Sequence, residues 1–301
     1  MKLFGRLELT ASKRKDDSPL LFPLGDPVRQ EPLIRRLRYP IWTELKAKLI
    51  EEYLFLFVQI THHGTYIDAF TGPQESDKPH TWAAKLVLER APRWFRNFFL
   101  FEVDRRKVQL IKEMVELQPP RDKKKKEPSR DIKIFNEDCN QGIRKLLDEK
   151  LIRQKEATFC LLDQHTFECH WATLEALARY KRDGENKIEL FYFFPTGWFN
   201  RALKNTKDHE RLRAWWGRDD WEDLQELHSD ARVNLVAERF RKELGYASVK
   251  AWPIRSEHEG GRVMYHMVHA TDHPDAPGLM RRAYDKVVIP PSGSEQMAFK
   301  V

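Results

Sequence analysis

The sequence predicts a doubly wound α/β fold with a mostly parallel sheet, and three observations carry that expectation. Strand-like apolar runs alternate with helix-like segments from Thr65 onward. Each helix-like segment holds apolar residues three and four apart, and the last two strand-like runs lie at hairpin spacing.

The elements follow in order. Residues 1–40 mix Lys13-Arg14-Lys15, Arg35-Arg36 and Pro19, Pro23, Pro27 and Pro32 without lasting periodicity, which predicts an irregular basic arm. Over 42–60, Leu45, Leu49, Ile50, Tyr53, Leu54, Phe57 and Val58 recur at helical spacing, so an amphipathic helix leads through His62-His63-Gly64 into the first strand. Strands are expected at 65–70, 97–103, 132–136, 158–163 and 187–195, with helices at 81–90, 105–117, 142–151 and 171–180 between them. Residues 119–130, with Lys123-Lys124-Lys125-Lys126, read as a solvated loop. From about 205 to 244 a charged stretch carries Leu212, Trp215, Trp216, Trp221, Leu224, Leu227, Val233 and Phe240, the pattern of a helical insertion lying over the sheet. Two final strands, 247–254 and 263–270, flank Gly260-Gly261 as a C-terminal antiparallel hairpin. A last helix at 277–287 precedes a tail at 291–301, so one domain spans 41–290.

Composition narrows the function classes. The chain has 301 residues, 41% hydrophobic and 33% charged, enough to bury a full core and unlike a disordered chain. Three cysteines, Cys139, Cys160 and Cys169, form neither a disulfide framework nor a zinc motif, which fits a reducing, cytoplasmic location. No apolar run reaches the roughly 18 residues a membrane span requires. The formal net charge of +7 favours an anionic partner, nucleic acid above all, through counterion release at phosphates.

Candidate site residues sit where successive strands end. Asp68-Ala69-Phe70-Thr71-Gly72-Pro73-Gln74 follows the first strand, where the chain must turn tightly and Gly72 lets backbone N–H groups approach a ligand. Asp68 can accept from an ammonium group or a loop N–H. Glu102, at the end of the second strand, can accept from both hydroxyls of a ribose. Asp104 could join it or cap the following helix. Asp138, beside Cys139 after the third strand, could accept an adenine's exocyclic amine or cap a helix in its turn. After the fourth strand, Asp163-Gln164-His165 offers a carboxylate, an amide and an imidazole within reach of that ligand. Asp163 would orient a nucleophile and His165 would serve as base, imidazole being the side chain that titrates near neutrality. Ordinary capping and surface roles compete for both.

Other chemistries fit less well. Gln164-His165 stands where base amino-methyltransferases carry two prolines, and neither Cys160 nor Cys169 follows a proline as a cytosine-C5 nucleophile would. The glycine fingerprint of a dinucleotide dehydrogenase is missing. His266 and His269, three apart on a strand, point to opposite faces and make a poor metal pair. Trp215, Trp216 and Trp221 could stack on bases or close a lid, although packing of the insertion explains them as well. The basic runs at 13–15, 35–38, 123–126 and 281–282 could follow a phosphate backbone or form solvated faces.

Residues 42–60, Tyr66 to Pro73, Phe159 to Cys169 and Glu189 to Phe193 together resemble the three-Cys-motif partner protein family, TcmP, over most of 42–290. Gln74 departs from methyltransferase turns, which often have a second glycine there. The resemblance implies a class I methyltransferase-like, Rossmann-like fold in a bacterial protein, and a separate partner carrying three cysteines. Acids and a glycine set to hold an ammonium, a ribose and an adenine add the cofactor expectation, S-adenosylmethionine, around Asp68, Phe70, Gly72, Pro73, Gln74, Glu102, Asp104, Asp138 and Cys139. Two functions follow: a methyltransferase acting on nucleic acid, or a catalytically silent protein of that fold which binds a three-cysteine protein or nucleic acid.

Overall fold

A computed structural model describes residues 41–75, 77–125, 127–256 and 261–289. The expected arm at 1–40, with its basic clusters, the tail at 291–301, Lys126 and Gly260 lie outside the described residues.

The leading helix α1 (Ile41–Thr61) feeds β1 (Gly64–Asp68), and from there strands and helices alternate. They run α2 (Ala83–Glu89), β2 (Phe95–Phe101), α3 (Arg105–Glu116), β3 (Asp131–Phe135), α4 (Cys139–Asp148), β4 (Thr158–Leu162), α5 (Trp171–Arg179) and β5 (Glu189–Phe194). The insertion consists of α6 (Phe199–Asn205), α7 (His209–Trp216), a 3-10 segment (Asp219–Gln225) and α8 (Ser229–Lys242). It begins about six residues before its expected start. Strands β6 (Ser248–Arg255) and β7 (Val263–Thr271) and the helix α9 (Ala276–Val287) complete the domain.

Among the described residues, seven strands order as β3-β2-β1-β4-β5-β7-β6. Strands β1 to β5 pair in parallel, and β7 pairs antiparallel with both β5 and β6. The expected hairpin is present, with a refinement: β7 lies inside the sheet, and β6, on the outer edge, runs with the first five strands. The long connection through α6, α7 and α8 carries the chain past one strand position, and the hairpin then folds back into the gap.

Alternation of side chains divides the core into two layers, because successive strand residues face opposite sides. Ile67, Phe99, Phe101, Cys160, Leu162, Tyr192 and Phe194 meet α4, α5 and the insertion. Tyr66, Phe98, Leu100, Phe159, Leu161, Phe191 and Phe193 meet α1, α2, α3 and α9. Asp104 and Asp138 cap α3 and α4 by accepting the backbone N–H groups of Arg106 and Asn140. The Asp138 cap explains why α4 starts at Cys139, three residues earlier than periodicity alone suggests.

Trp215, Trp216 and Trp221 are all buried, so base stacking and a lid role are set aside for packing. Trp215 donates its indole N–H to the Tyr192 hydroxyl at 2.6 Å and stacks on Phe194, and Trp216 donates to Asp220 at 2.7 Å. Apolar area drives the insertion onto the sheet, the Trp215 hydrogen bond to Tyr192 of β5 fixes its position there, and the Trp216 bond ties α7 to the 3-10 segment within it. Replacing Trp215 by alanine should lower unfolding free energy by about 3–5 kcal/mol, read as a shift of the denaturant midpoint.

Candidate active-site cleft

Parallel strands leave a crevice beyond their carboxyl ends where the winding reverses, here between β1 and β4. A cleft of about 280 Å³ occupies that position. Asp68, Phe70, Gly72, Pro73, Gln74, Glu102, Asp104, Asp138, Cys139, Asp163 and His165 all line it. Gln164 does not.

The first turn is built around two carboxylates. Asp68 is buried, accepting the Tyr66 hydroxyl at 2.8 Å and the Phe70 N–H at 3.1 Å. Glu102 accepts the Gly72 N–H at 3.0 Å with one oxygen and the Asp104 N–H at 2.9 Å with the other. A Cβ at position 72 would collide with that carboxylate and with the Lys107 stem, so only glycine fits this approach. Trp82 closes the turn from the other side, donating its indole N–H to the Thr71 carbonyl at 2.7 Å. Gln74 accepts from the Thr43 hydroxyl at 3.3 Å, which ties the turn to α1.

Burial pushes the Asp68 carboxyl up to about 7, against the two hydrogen bonds that favour its ionised form; the nearby Asp163 and Glu102 charges push it further the same way. A buried acid poised in this way beside an open cleft gains from a cation.

Asp163 is held by Lys46, whose Nζ lies 2.7 Å from one carboxylate oxygen and 2.6 Å from the other. The lysine comes from the first turns of α1, is 5% exposed, and sits over the rings of Phe193 and Tyr265 at 5.6 and 5.7 Å. The sequence reading missed Lys46. Its signal was a charged residue on the apolar stripe of the leading helix, spaced three and four residues from Leu49 and Ile50.

Gln164 is corrected from a candidate catalytic group to a structural one. It is 1% exposed, donates to the Phe193 carbonyl at 3.1 Å, and accepts the N–H groups of Glu168 and Cys169 at 2.9 Å. These hydrogen bonds turn it away from the cleft that Asp163 and His165 line, into the base of the loop after β4. His165 is exposed at the cleft. Asp104 and Asp138 line the cleft and cap their helices at the same time.

The cleft is acidic: seven carboxylates line it against two lysines and one histidine. Val103, between Glu102 and Asp104, is 63% exposed and presents an apolar wall there. The described basic runs lie elsewhere, and Arg281 and Arg282 sit on α9 outside the cleft lining. Lys123, Lys124 and Lys125 follow α3 and precede β3, which places them at the amino ends of the strands, opposite the cleft. His266 and His269 have separate partners, the Thr196 hydroxyl at 2.7 Å and Glu189 at 2.9 Å.

The strand order is that of a doubly wound, Rossmann-like α/β sheet with an antiparallel strand pair at one edge. No family model matches the sequence, and no curated protein matches it. Among solved structures, the fold is similar to small RNA methyltransferase HEN1, at 12% identity and a TM-score of 0.47, over 79% of this chain and 27% of that one. It is also similar to protein LPL1258 from Legionella pneumophila, of family DUF519, at 11% identity and a TM-score of 0.44, over 84% of this chain and 94% of that one. The chain thus spans 27% of the HEN1 structure.

Lys46→Met strands Asp163 as an unpaired charge and should destabilise the protein by about 3–5 kcal/mol, whereas Lys46→Met/Asp163→Leu should recover most of the loss. Urea melts of both variants measure this. Because the Asp68 carboxyl rises in the native state from its ordinary 3.8 to about 7, the folded protein holds the proton that the unfolded chain releases. Its contribution is full below pH 3.8 and is lost as pH rises through about 7. Asp68→Asn should flatten that part of the stability profile, measured as unfolding free energy against pH.

Proposed function

We propose that this chain is an S-adenosylmethionine-dependent methyltransferase. The observation that carries the reading is the convergence of Asp68, Gly72, Glu102 and Asp138, from the ends of three successive strands, on one acidic cleft. The residues suit the cofactor's parts. Asp68 would take the ammonium group, Glu102 the ribose hydroxyls, Asp138 the adenine amine, and exposed Val103 offers an apolar face for the base. Each Glu102 oxygen already accepts one backbone N–H and keeps a second lone pair for a hydroxyl. When bound, the cofactor supplies an electrophilic methyl group on a sulfonium.

The chain's own contribution is positioning. Lys46 keeps the Asp163 carboxylate fixed at the cleft wall, where it can accept a hydrogen bond from an acceptor's N–H or O–H. His165 at the rim can receive the proton that the acceptor releases. The surrounding carboxylates favour a cationic ligand over its neutral product, which assists exchange after transfer.

Nucleic acid is the acceptor class favoured by the net charge of +7. A second reading has its own support: the acidic lining repels phosphates and favours a small uncharged or cationic acceptor. The likeness to three-Cys-motif partner proteins adds a protein carrying three cysteines as a proposed partner, and a silent scaffold as the rival to catalysis.

Calorimetry of the full chain should show S-adenosylmethionine binding that strengthens from pH 6 to pH 8 as Asp68 ionises, and that drops at least tenfold in Asp68→Ala. No heat with the wild-type protein would end the proposal. Transfer of labelled methyl to RNA or DNA supports the first acceptor class, and transfer only to small amines or neutral acceptors supports the second. Binding without transfer to any acceptor supports the silent scaffold.

A further inference from the structure

The sheet ends in two edges, β6 on one side and β3 on the other, and the two are finished differently. An edge strand presents a row of unpaired backbone N–H and C=O groups, which native sheets protect with proline, bulges, covering side chains or charge. Strand β6 carries three such devices: Pro253 has no N–H to offer, the ladder shifts register between Ile254 and Arg255, and Arg241 donates to the Val249 carbonyl. Strand β3 lacks all three among the described residues. It holds no proline and pairs with β2 without a break in register, and no side chain bonds to its outer backbone groups.

The ladder settles which groups those are. The Phe135 carbonyl accepts the Glu102 N–H at 3.0 Å, so Phe135 turns its backbone groups toward β2. Alternate residues do the same, which commits Lys133 and Asp131 to β2 and leaves the N–H and C=O of Ile132 and Ile134 facing outward. The side chains alternate as well. Ile132 and Ile134 are half-buried against the layer that holds α1 and α3, while Asp131 and Lys133 stand on the other face, 59% and 41% exposed, in a loose 3.7 Å ion pair. The charge on this edge therefore has both signs, two residues apart.

We infer that the β3 edge is a dimer interface, occupied by β3 of a second copy of this chain running antiparallel about a two-fold axis at Ile132. In that register Ile132 exchanges two backbone hydrogen bonds with Ile132 of the partner subunit, and Asp131 lies opposite Lys133 of the partner subunit, once on each side of the axis. An axis at Lys133 would oppose two lysines. An axis at Ile134 would set Lys133 against Phe135 and lose both cross-strand ion pairs, so charge selects the register. The surroundings are complementary in the same sense. Exposed Lys123, Lys124 and Lys125 precede β3, and Glu137 and Asp138 follow it, so antiparallel pairing brings the basic end of each strand toward the acidic end of the other. Each lysine loop then approaches the side of the partner's cleft that Glu137 and Asp138 line. The pairing itself does not depend on the methyltransferase reading.

Sedimentation velocity of the full chain over a series of concentrations tests this. The wild-type protein should associate to a dimer. Asp131→Lys sets lysine opposite lysine and Lys133→Glu sets acid opposite acid, and each should weaken association at least tenfold. Asp131→Lys/Lys133→Glu exchanges the two charges and should restore it. All three changes lie at exposed positions, and circular dichroism should match the wild type. The inference is overturned if the wild-type chain stays monomeric throughout, if the folded single variants dimerise as tightly as wild type, or if the folded double variant associates no better than the single ones.

Discussion

The Glu102 carboxylate is the tie on which the cleft depends. It receives the N–H of Gly72 from the turn after β1 and the N–H of Asp104 from its own turn, so one side chain fixes two neighbouring strand ends. Both donors are backbone groups that would otherwise be left unpaired where strands give way to turns. The tie is made where position 72 has no side chain, since an added carbon would clash with the Glu102 carboxylate in its present place. Once β1 and β2 are joined in this way, Asp68, Val103 and Lys107 take up positions on the same opening.

Electrostatics then set what that opening can hold. Parallel strands end side by side, so a sequence that places an acid after each strand concentrates negative charge in one small volume. That concentration adds only a little to the rise of the Asp68 carboxyl, which is pushed up to about 7 mainly by burial. It is relieved at Asp163 by Lys46, reaching in from a helix outside the alternating strand-helix series. Helix α1 therefore does more than cover the sheet: its first turns neutralise the carboxylate nearest the expected acceptor.

Much of this was legible in the sequence, for a definite reason. Strand and helix identity follow from local periodicity, and an acid placed at a strand's carboxyl end in a parallel sheet has only one place to be. Asp68, Glu102, Asp138 and Asp163 therefore came together as expected, and the helix caps at Asp104 and Asp138 followed from residue type and position. Gln164 could not be resolved in that way. Whether a residue just past a strand continues into the cleft or turns beneath the loop depends on hydrogen bonds to Phe193 and Cys169, which are distant or irregular in sequence.

What the sequence alone determined was the alternation of elements, the parallel core and the row of acids at its carboxyl edge, because each arises from spacing within a few residues. The tertiary structure decided the placement of β7 inside the sheet, the burial of Trp215, Trp216 and Trp221, and the pairing of Lys46 with Asp163. These depend on groups 20 to more than 100 positions apart meeting in space, and local pattern carries no record of such distances.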